Sequence, residues 1–336
     1  MRIDAYSHIL PERYFVRMRE LVVDPGALKR WLELPVLHDV EARLRMMAEF
    51  GADYQQILTL SSPPIELLAE ADGSPALARL ANESMKELCE TYPERFPAFV
   101  ASLPMNNPEA CVAEIGYAIE TLDARGVQVF TNVNGMPLDD PSLEPVFAEV
   151  ARRGIPVWMH PTRGAKVADY RTEDVSKYEI WWALGWPYET SAAMARMVFS
   201  GLFDRYPGLK VITHHMGAMI PYLEGRIRLG WGDQLGSRTA DQDYGALRTA
   251  LAKEPVEYFR GFYADTALSG SDLGTRCGLE FFGADHVVFG TDCPFDPEGG
   301  PMFIRETMRV IDALDVSDAE REAIYSGNIR RLAGLI

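Results

Sequence analysis

Four polar residues, His8, His160, His215 and Asp292, each close a short apolar run. The runs read Arg-Ile-Asp-Ala-Tyr-Ser-His8, Ile-Pro-Val-Trp-Met-His160, Val-Ile-Thr-His-His215 and Val-Val-Phe-Gly-Thr-Asp292. Such runs read as parallel strands, whose carboxyl-terminal side chains converge on one mouth in a barrel enzyme. Neutral imidazole nitrogens from His8 and His160 and a carboxylate oxygen from Asp292 suit a catalytic zinc, and manganese is also admissible where oxygen donors dominate. His215 is open between a further ligand and a free imidazole that moves protons near neutral pH, and the second role is favoured. Asp292 is a second candidate for acid/base work. His214 precedes His215 on the same run, so a period of two turns one of the pair away from the mouth, and His214 reads as a hydrogen-bonded packing residue. The chemistry expected from this set is that of a metal-dependent lyase or hydrolase.

The elements that must carry these residues alternate between short β-rich runs and longer helical patterns, the signature of parallel strands joined by crossover helices. The expected strands are Arg2 to Tyr6, Gln55 to Leu60, Ala98 to Leu103, Gly126 to Thr131, Pro156 to His160, Lys210 to His214, Gly261 to Asp265 and His286 to Gly290. Helical spacing of apolar residues covers Val40 to Phe50, Ala76 to Thr91, Pro108 to Asp123, Ser142 to Arg153 and Ser191 to Arg205. Asn107-Pro108 opens one helix and Tyr206-Pro-Gly208 closes another. The fold class is therefore α/β, with eight such units closing a (β/α) barrel, and residues 1–336 are expected to form one domain. Leu10 to His38 and Thr162 to Trp186 are too long for ordinary connections and follow the first and fifth strands, where insertions form lids or substrate walls. Trp181, Trp182, Trp186 and Tyr188 fall in or beside the second insertion. Their flat faces are open between stacking on a ring substrate, with Trp186 the candidate contact, and packing in the core, which is favoured for most of them.

Composition narrows the partners. A formal net charge of -16 over 336 residues repels phosphate backbones and anionic lipid heads, which disfavours nucleic acid and membrane surfaces and favours a small organic substrate. Hydrophobic residues make up 47% and charged ones 24%, enough for a large core in a soluble chain. The opening Met-Arg-Ile-Asp-Ala-Tyr-Ser-His has no basic segment followed by an apolar stretch, so a cytoplasmic location is expected. Cys89, Cys111, Cys277 and Cys293 lack any Cys-x-x-Cys spacing and read as free thiols, Cys293 as a packed small residue beside Asp292.

The chain resembles the amidohydrolase superfamily, in particular its amidohydrolase-2 branch, which contains 2-amino-3-carboxymuconate-6-semialdehyde decarboxylase and decarboxylases of hydroxylated aromatic acids. The likeness spans nearly the whole chain. It rests on Ile3-Asp-Ala-Tyr-Ser-His8-Ile-Leu-Pro11, on His160-Pro161, on His215-Met-Gly-Ala-Met-Ile-Pro-Tyr-Leu-Glu-Gly-Arg226, on Phe289-Gly-Thr-Asp292-Cys-Pro294, and on Ile324-Tyr-Ser-Gly-Asn328-Ile-Arg-Arg-Leu332. The resemblance implies a distorted barrel assembled as a dimer, a metal held by His8, His160 and Asp292, proton transfer by His215, and an Arg226 that reaches a substrate carboxylate, in its own or a neighbouring subunit. It also implies an imidazole, or in some aromatic-acid decarboxylases a glutamate, where this chain has Tyr6. A phenol ionises near pH 10, so Tyr6 ligates only with a strongly depressed pKa, and a hydrogen-bonding role is the alternative. The branch's arginine near the second strand's helix has no clear counterpart in Leu28-Lys29-Arg30-Trp31, and Arg163 is an alternative carboxylate clamp.

Three readings follow. The first is non-oxidative decarboxylation of a hydroxylated aromatic, heteroaromatic or muconate-like acid. The second is hydrolysis of an amide, lactone or carbon-carbon bond at the same metal. The third is an inactive barrel kept as a binding protein, motivated by Tyr6 and opposed by the survival of four polar strand-end residues.

Overall fold

In a computed structural model, which describes residues 1–22 and 28–335, every expected strand run forms a strand. In chain order these are β1 (Arg2–Ile9), β2 (Tyr54–Leu60), β3 (Ala98–Phe99), β4 (Ala101–Ser102), β5 (Val127–Phe130), β6 (Asn132–Val133), β7 (Met136–Pro137), β8 (Val157–His160), β9 (Val211–Thr213), β10 (Tyr263–Asp265) and β11 (Val287–Val288). All pairings are parallel except the β6–β7 hairpin. The strands form a (β/α) barrel distorted at two seams, so that the order β1-β2-β3 is one sheet and β4-β5-β8-β9-β10-β11 another. At the first seam the third expected run splits at Val100, β3 pairing with β2 and β4 with β5, while the Val100 amide donates to Leu58 O at 2.9 Å. At the second seam the chain after β11 closes onto β1 through Ala5 N to Phe289 O at 2.8 Å, Asp292 N to Tyr6 O at 3.1 Å and His8 N to Cys293 O at 2.8 Å. This closure sets Asp292 beside the end of the first strand, where His8 stands.

The pleat sorts the apolar side chains. Ile3, Ile57, Val100, Trp158, Ile212 and Val288, contributed by different strand runs, meet in one small cluster inside the ring, and Ile329 and Leu332 of the C-terminal helix join it. Alternating residues such as Leu58, Val129, Met159 and Val211 face outward into the larger cluster shared with the helices. Trp158 is fully buried and donates from Nε1 to Ala5 O at 2.8 Å. Gly126 is required beside it, because a Cβ there would lie 2.4 Å from the indole.

Local signals explain most boundaries. Asn107 caps the helix Pro108–Glu120 by accepting from the Ala110 amide at 3.1 Å. The unanticipated β6–β7 hairpin turns at Asn134 and Gly135, whose φ of 52° and 88° are the left-handed values that an Asn-Gly hairpin turn needs. The expected helix Ser191 to Arg205 is corrected to Gly185–Phe199 followed by Leu202–Arg205. The helix reaches back past Pro187 because proline in a first turn loses no helical hydrogen bond. The break falls instead at Gly201, with φ 73°. The first insertion, Leu10 to His38, carries the helices Glu12–Leu21, Lys29–Leu32 and Pro35–His38, while its residues 23–27 lie outside the described residues. No helix among the described residues is long and apolar enough to cross a membrane.

Candidate metal centre and its surroundings

His8, His160, His214 and Asp292 each offer one ligand atom, and these atoms all lie within 4.8 Å of one another. The three imidazoles are oriented alike. The Nδ1 of His160 lies 2.6 Å from the carbonyl oxygen of Pro161, an acceptor only, so Nδ1 carries the proton and Nε2 is left with its lone pair. The Thr59 hydroxyl donates to Ser7 O, so its lone pair accepts from His8 Nδ1 at 3.3 Å and His8 Nε2 is likewise free. His214 Nδ1 pairs with Asp265 Oδ2. His8 Nε2 approaches Asp292 Oδ1 at 3.1 Å and His214 Nε2 approaches it at 3.5 Å, yet both nitrogens are buried without an aligned hydrogen bond. Buried polar atoms are nearly always hydrogen-bonded, and inward nitrogens lacking a partner around a carboxylate are what a bound cation satisfies. The donor set of three imidazoles and one carboxylate fits a divalent ion.

His214 and His215 both enter this mouth, which corrects the expectation that strand alternation turns one of them away. β9 ends at Thr213, so alternation no longer governs the pair. His214 is extended, whereas His215, Met216, Gly217 and Ala218 all have φ between 54° and 71°, folding the chain back on itself. The turn fits because Met216 packs where a Cβ on Gly278 would stand, 2.0 Å from the Met216 Cγ. His215 Nε2 lies 3.7 Å from Asp292 Oδ2, its Nδ1 is buried without a partner, and its side chain is 19% exposed. Asp292 itself sits at φ 63°.

The electrostatics divide these groups. Burial alone would raise the Asp292 carboxyl, but His214, His215 and His8 around it hold it well below the usual carboxylate range. Burial lowers His8 and His160, and neighbouring imidazoles deepen the fall for His160. Burial and the His214 charge lower His215. His214 differs, because Asp265 outweighs the effect of burial and lifts it to about 9. Burial pushes the Tyr6 phenol well above 10, the direction opposite to the one that phenolate ligation requires. Tyr6 is fully buried, its ring stacks on His214 with centroids 4.0 Å apart, and its hydroxyl has no hydrogen-bond partner.

The other expected site residues lie farther out. Trp186 packs edge-on to His160 at 5.5 Å and donates from Nε1 to Arg163 O at 3.2 Å. Arg163 pairs with Glu189 at 3.0 Å. Arg226 is exposed on the helix Glu224–Ile227 and has no ion pair among the described residues. The core role favoured for the aromatic group is corrected, since Trp182 and Tyr188 are exposed and Trp181 stands edge-on to Trp186. Cys293 is buried, outside the ligand group, its thiol pushed up to about 12 by burial. Residues that the sequence reading passed over include Asp265, which orients His214, and Phe130 and Phe295, whose rings lie 5.2 Å from His160 and 5.7 Å from His8. Asp265 had the same signal as the others, a polar residue ending a strand run.

The chain matches the sequence model of the family described as Amidohydrolase over residues 3–335 and belongs to that family. It is 30% identical over 328 residues to gamma-resorcylate decarboxylase of Rhodococcus jostii, covering 92% of this chain and 91% of that protein. It is 28% identical over 358 residues to 2-amino-3-carboxymuconate-6-semialdehyde decarboxylase of Dictyostelium discoideum, covering 100% of this chain and 92% of that one. Among solved structures it resembles a dihydroxybenzoic acid decarboxylase from Polaromonas sp. JS666 with bound manganese and the inhibitor 2-nitroresorcinol. That likeness has a TM-score of 0.78 and 26% identity, over 99% of this chain and 97% of the other.

Proposed function

We propose that the chain is a metal-dependent, non-oxidative decarboxylase of a hydroxylated aromatic, heteroaromatic or muconate-like carboxylic acid. The observation that carries this reading is the convergence of the buried His8 and His160 with the partly buried Asp292, beneath a mouth walled by Phe130, Trp186 and Phe295. His8, His160 and Asp292 would hold the ion, which we take to be zinc with manganese allowed. When bound, the ion supplies a Lewis acid that orients a ring hydroxyl and its neighbouring carboxylate and draws electron density from them.

The protein's own residues do the rest. Trp186 presents an apolar ring beside the ligands, suited to a planar substrate. Arg163 serves as a carboxylate clamp by exchanging Glu189 for the substrate, and Arg226 serves a carboxylate from its exposed helix, across the interface of a homodimer. Tyr6 closes the floor of the mouth. His215 delivers a proton to the ring carbon that bears the carboxylate, with Asp292 Oδ2 3.7 Å away to take part in the transfer. The bond to the carboxyl carbon then breaks, its electron pair restores the ring, and carbon dioxide departs. Such chemistry needs no partner beyond a small acid and a second copy of the chain, and accords with a cytoplasmic chain. Turnover of hydroxybenzoic acids by the zinc- or manganese-loaded protein, followed as carbon dioxide release in ¹⁸O-labelled water, tests the reading. Release without solvent oxygen in the aromatic product is expected, and a product that gains one solvent oxygen by bond hydrolysis would replace decarboxylation by hydrolysis.

A further inference from the structure

We infer that His214, oriented by Asp265, supplies the metal ligand that the first strand lacks at Tyr6, so that this chain holds its ion with three imidazoles from β1, β8 and the end of β9 and with Asp292. The inference rests on the metal reading above and extends its ligand set. At position 6 there is no imidazole or carboxylate, and the phenol lies flat against the His214 ring, 4.0 Å between centroids and 24° between planes. The stack holds His214 over the position from which the first strand would otherwise offer a donor. The His214 ring is 5.1 Å from that of His160 and 5.9 Å from that of His8, comparable with the 4.9 Å between those two.

Asp265 fixes the remaining freedom of the ring. Its Oδ1 accepts from the backbone amides of His215 and Ala267, each at 3.0 Å, which leaves Oδ2 for His214 Nδ1. A carboxylate that accepts a hydrogen bond from the Nδ1–H of a histidine aims Nε2 and raises its basicity as a ligand. The Nε2 so aimed is completely buried, has no hydrogen-bond partner and is within ligand reach of the other three donors. A histidine with a merely structural role would not need to leave that nitrogen unmatched among three other ligating atoms. The neighbouring pair thus divides its work, with His214 bound to the ion and the partly exposed His215 left for protons. A set with three nitrogen donors favours zinc over manganese.

The test measures zinc affinity by chelator competition and the visible spectrum of the cobalt-substituted protein for wild type, His214→Gln, Asp265→Asn, Tyr6→Phe and His160→Ala, with circular dichroism of each metal-free form. His214→Gln should weaken zinc on the order of 100-fold or more and change the cobalt spectrum, Asp265→Asn should weaken it about 10- to 100-fold, and Tyr6→Phe should stay within about threefold of wild type. Wild-type affinity and an unchanged cobalt spectrum in His214→Gln, with metal lost in His160→Ala, would overturn the inference and leave the three-ligand reading standing. Metal retained in His160→Ala would remove that reading and the inference with it. X-ray absorption of the zinc-loaded wild type needs no variant: three imidazoles support the inference, and two overturn it.

Discussion

Two neighbouring carboxylates, the fully buried Asp4 and the partly buried Asp292, are driven in opposite directions. Asp4 accepts from the Tyr54 hydroxyl at 2.8 Å, the Thr291 hydroxyl at 2.5 Å and the amides of Tyr6 and Thr291 at 3.2 and 3.1 Å, and burial still lifts it to about 7. Asp292, the next residue after Thr291, is held far down by imidazoles. Neutral donors satisfy a carboxylate without repaying the loss of water, whereas cationic or cation-seeking neighbours do. The surroundings differ in the same sense. Around Asp4, Tyr54 links to Gln56 at 2.8 Å and Gln56 to the buried Arg43 at 2.7 Å, and Arg43 reaches the Ser7 hydroxyl at 2.9 Å and the His8 carbonyl. None of these side chains has a buried polar atom without a partner, while His8, His214 and His215 each do. A closed network holds a fold, and an open one of metal-ligating atoms asks for an ion.

The sharpest break of this comparison is at the open cluster. His160→Ala should lose both bound metal, read by elemental analysis, and carbon dioxide release, while its metal-free form unfolds within a few degrees of metal-free wild type. Unchanged metal content would deny the cluster its role. His215→Ala should retain the metal and lower kcat by about 10²- to 10⁴-fold, the range for a positioned acid/base group. Loss of metal in that variant would move His215 into the ligand set.

Glu66 sharpens the comparison from outside both clusters, since it is buried with Oε1 unpartnered and is raised from 4.5 to about 7, chiefly by burial. Its folded-state pKa exceeds the unfolded value, so the proton it keeps stabilises the fold at low pH, and that contribution is lost as pH rises from about 4.5 through about 7. Glu66→Gln should therefore match wild type near pH 4 and exceed it by about 3 kcal/mol at pH 8, at ~1.4 kcal/mol per pKa unit. Denaturant unfolding at the two pH values measures the difference, and equal stability at pH 8 would show that Glu66 ionises there without cost.

Much of this was legible in the chain because strand ends announce themselves. His8, His160 and Asp292 each close an apolar run, and the ring brings them together. What the runs could not carry is the geometry beyond the last paired residue. The left-handed turn from His215 to Ala218 redirects two adjacent histidines into one mouth, and strand alternation has no bearing on a residue past the strand. The seam at Val100 depends on which neighbour each half of a five-residue segment can reach, and the helix from Gly185 depends on Arg163 filling the space that a larger residue would need. The partnership of His214 with Asp265 crosses from one strand end to the next, and no local pattern joins residues 51 apart.

The smallest expected effect lies in the closed network. Tyr54→Phe removes one hydroxyl that accepts from Gln56 Nε2 and donates to Asp4 Oδ2. Asp4 keeps three donors, but the buried Gln56 amide is left without its acceptor, which costs about 1–3 kcal/mol for an unsatisfied buried group. Loss of that donor also makes the ionised form of Asp4 less favourable, so the deficit should be larger at pH 8 than at pH 5. Metal content should match wild type, because Tyr54 contributes to the strands that carry His8 and not to the atoms that face the ion. Denaturant unfolding at both pH values, with elemental analysis of the same preparations, checks both halves. A Tyr54→Phe protein that keeps its stability and loses its metal would mean that the closed network exists to aim the ligands, and the distinction between the two buried clusters would collapse into a single extended site.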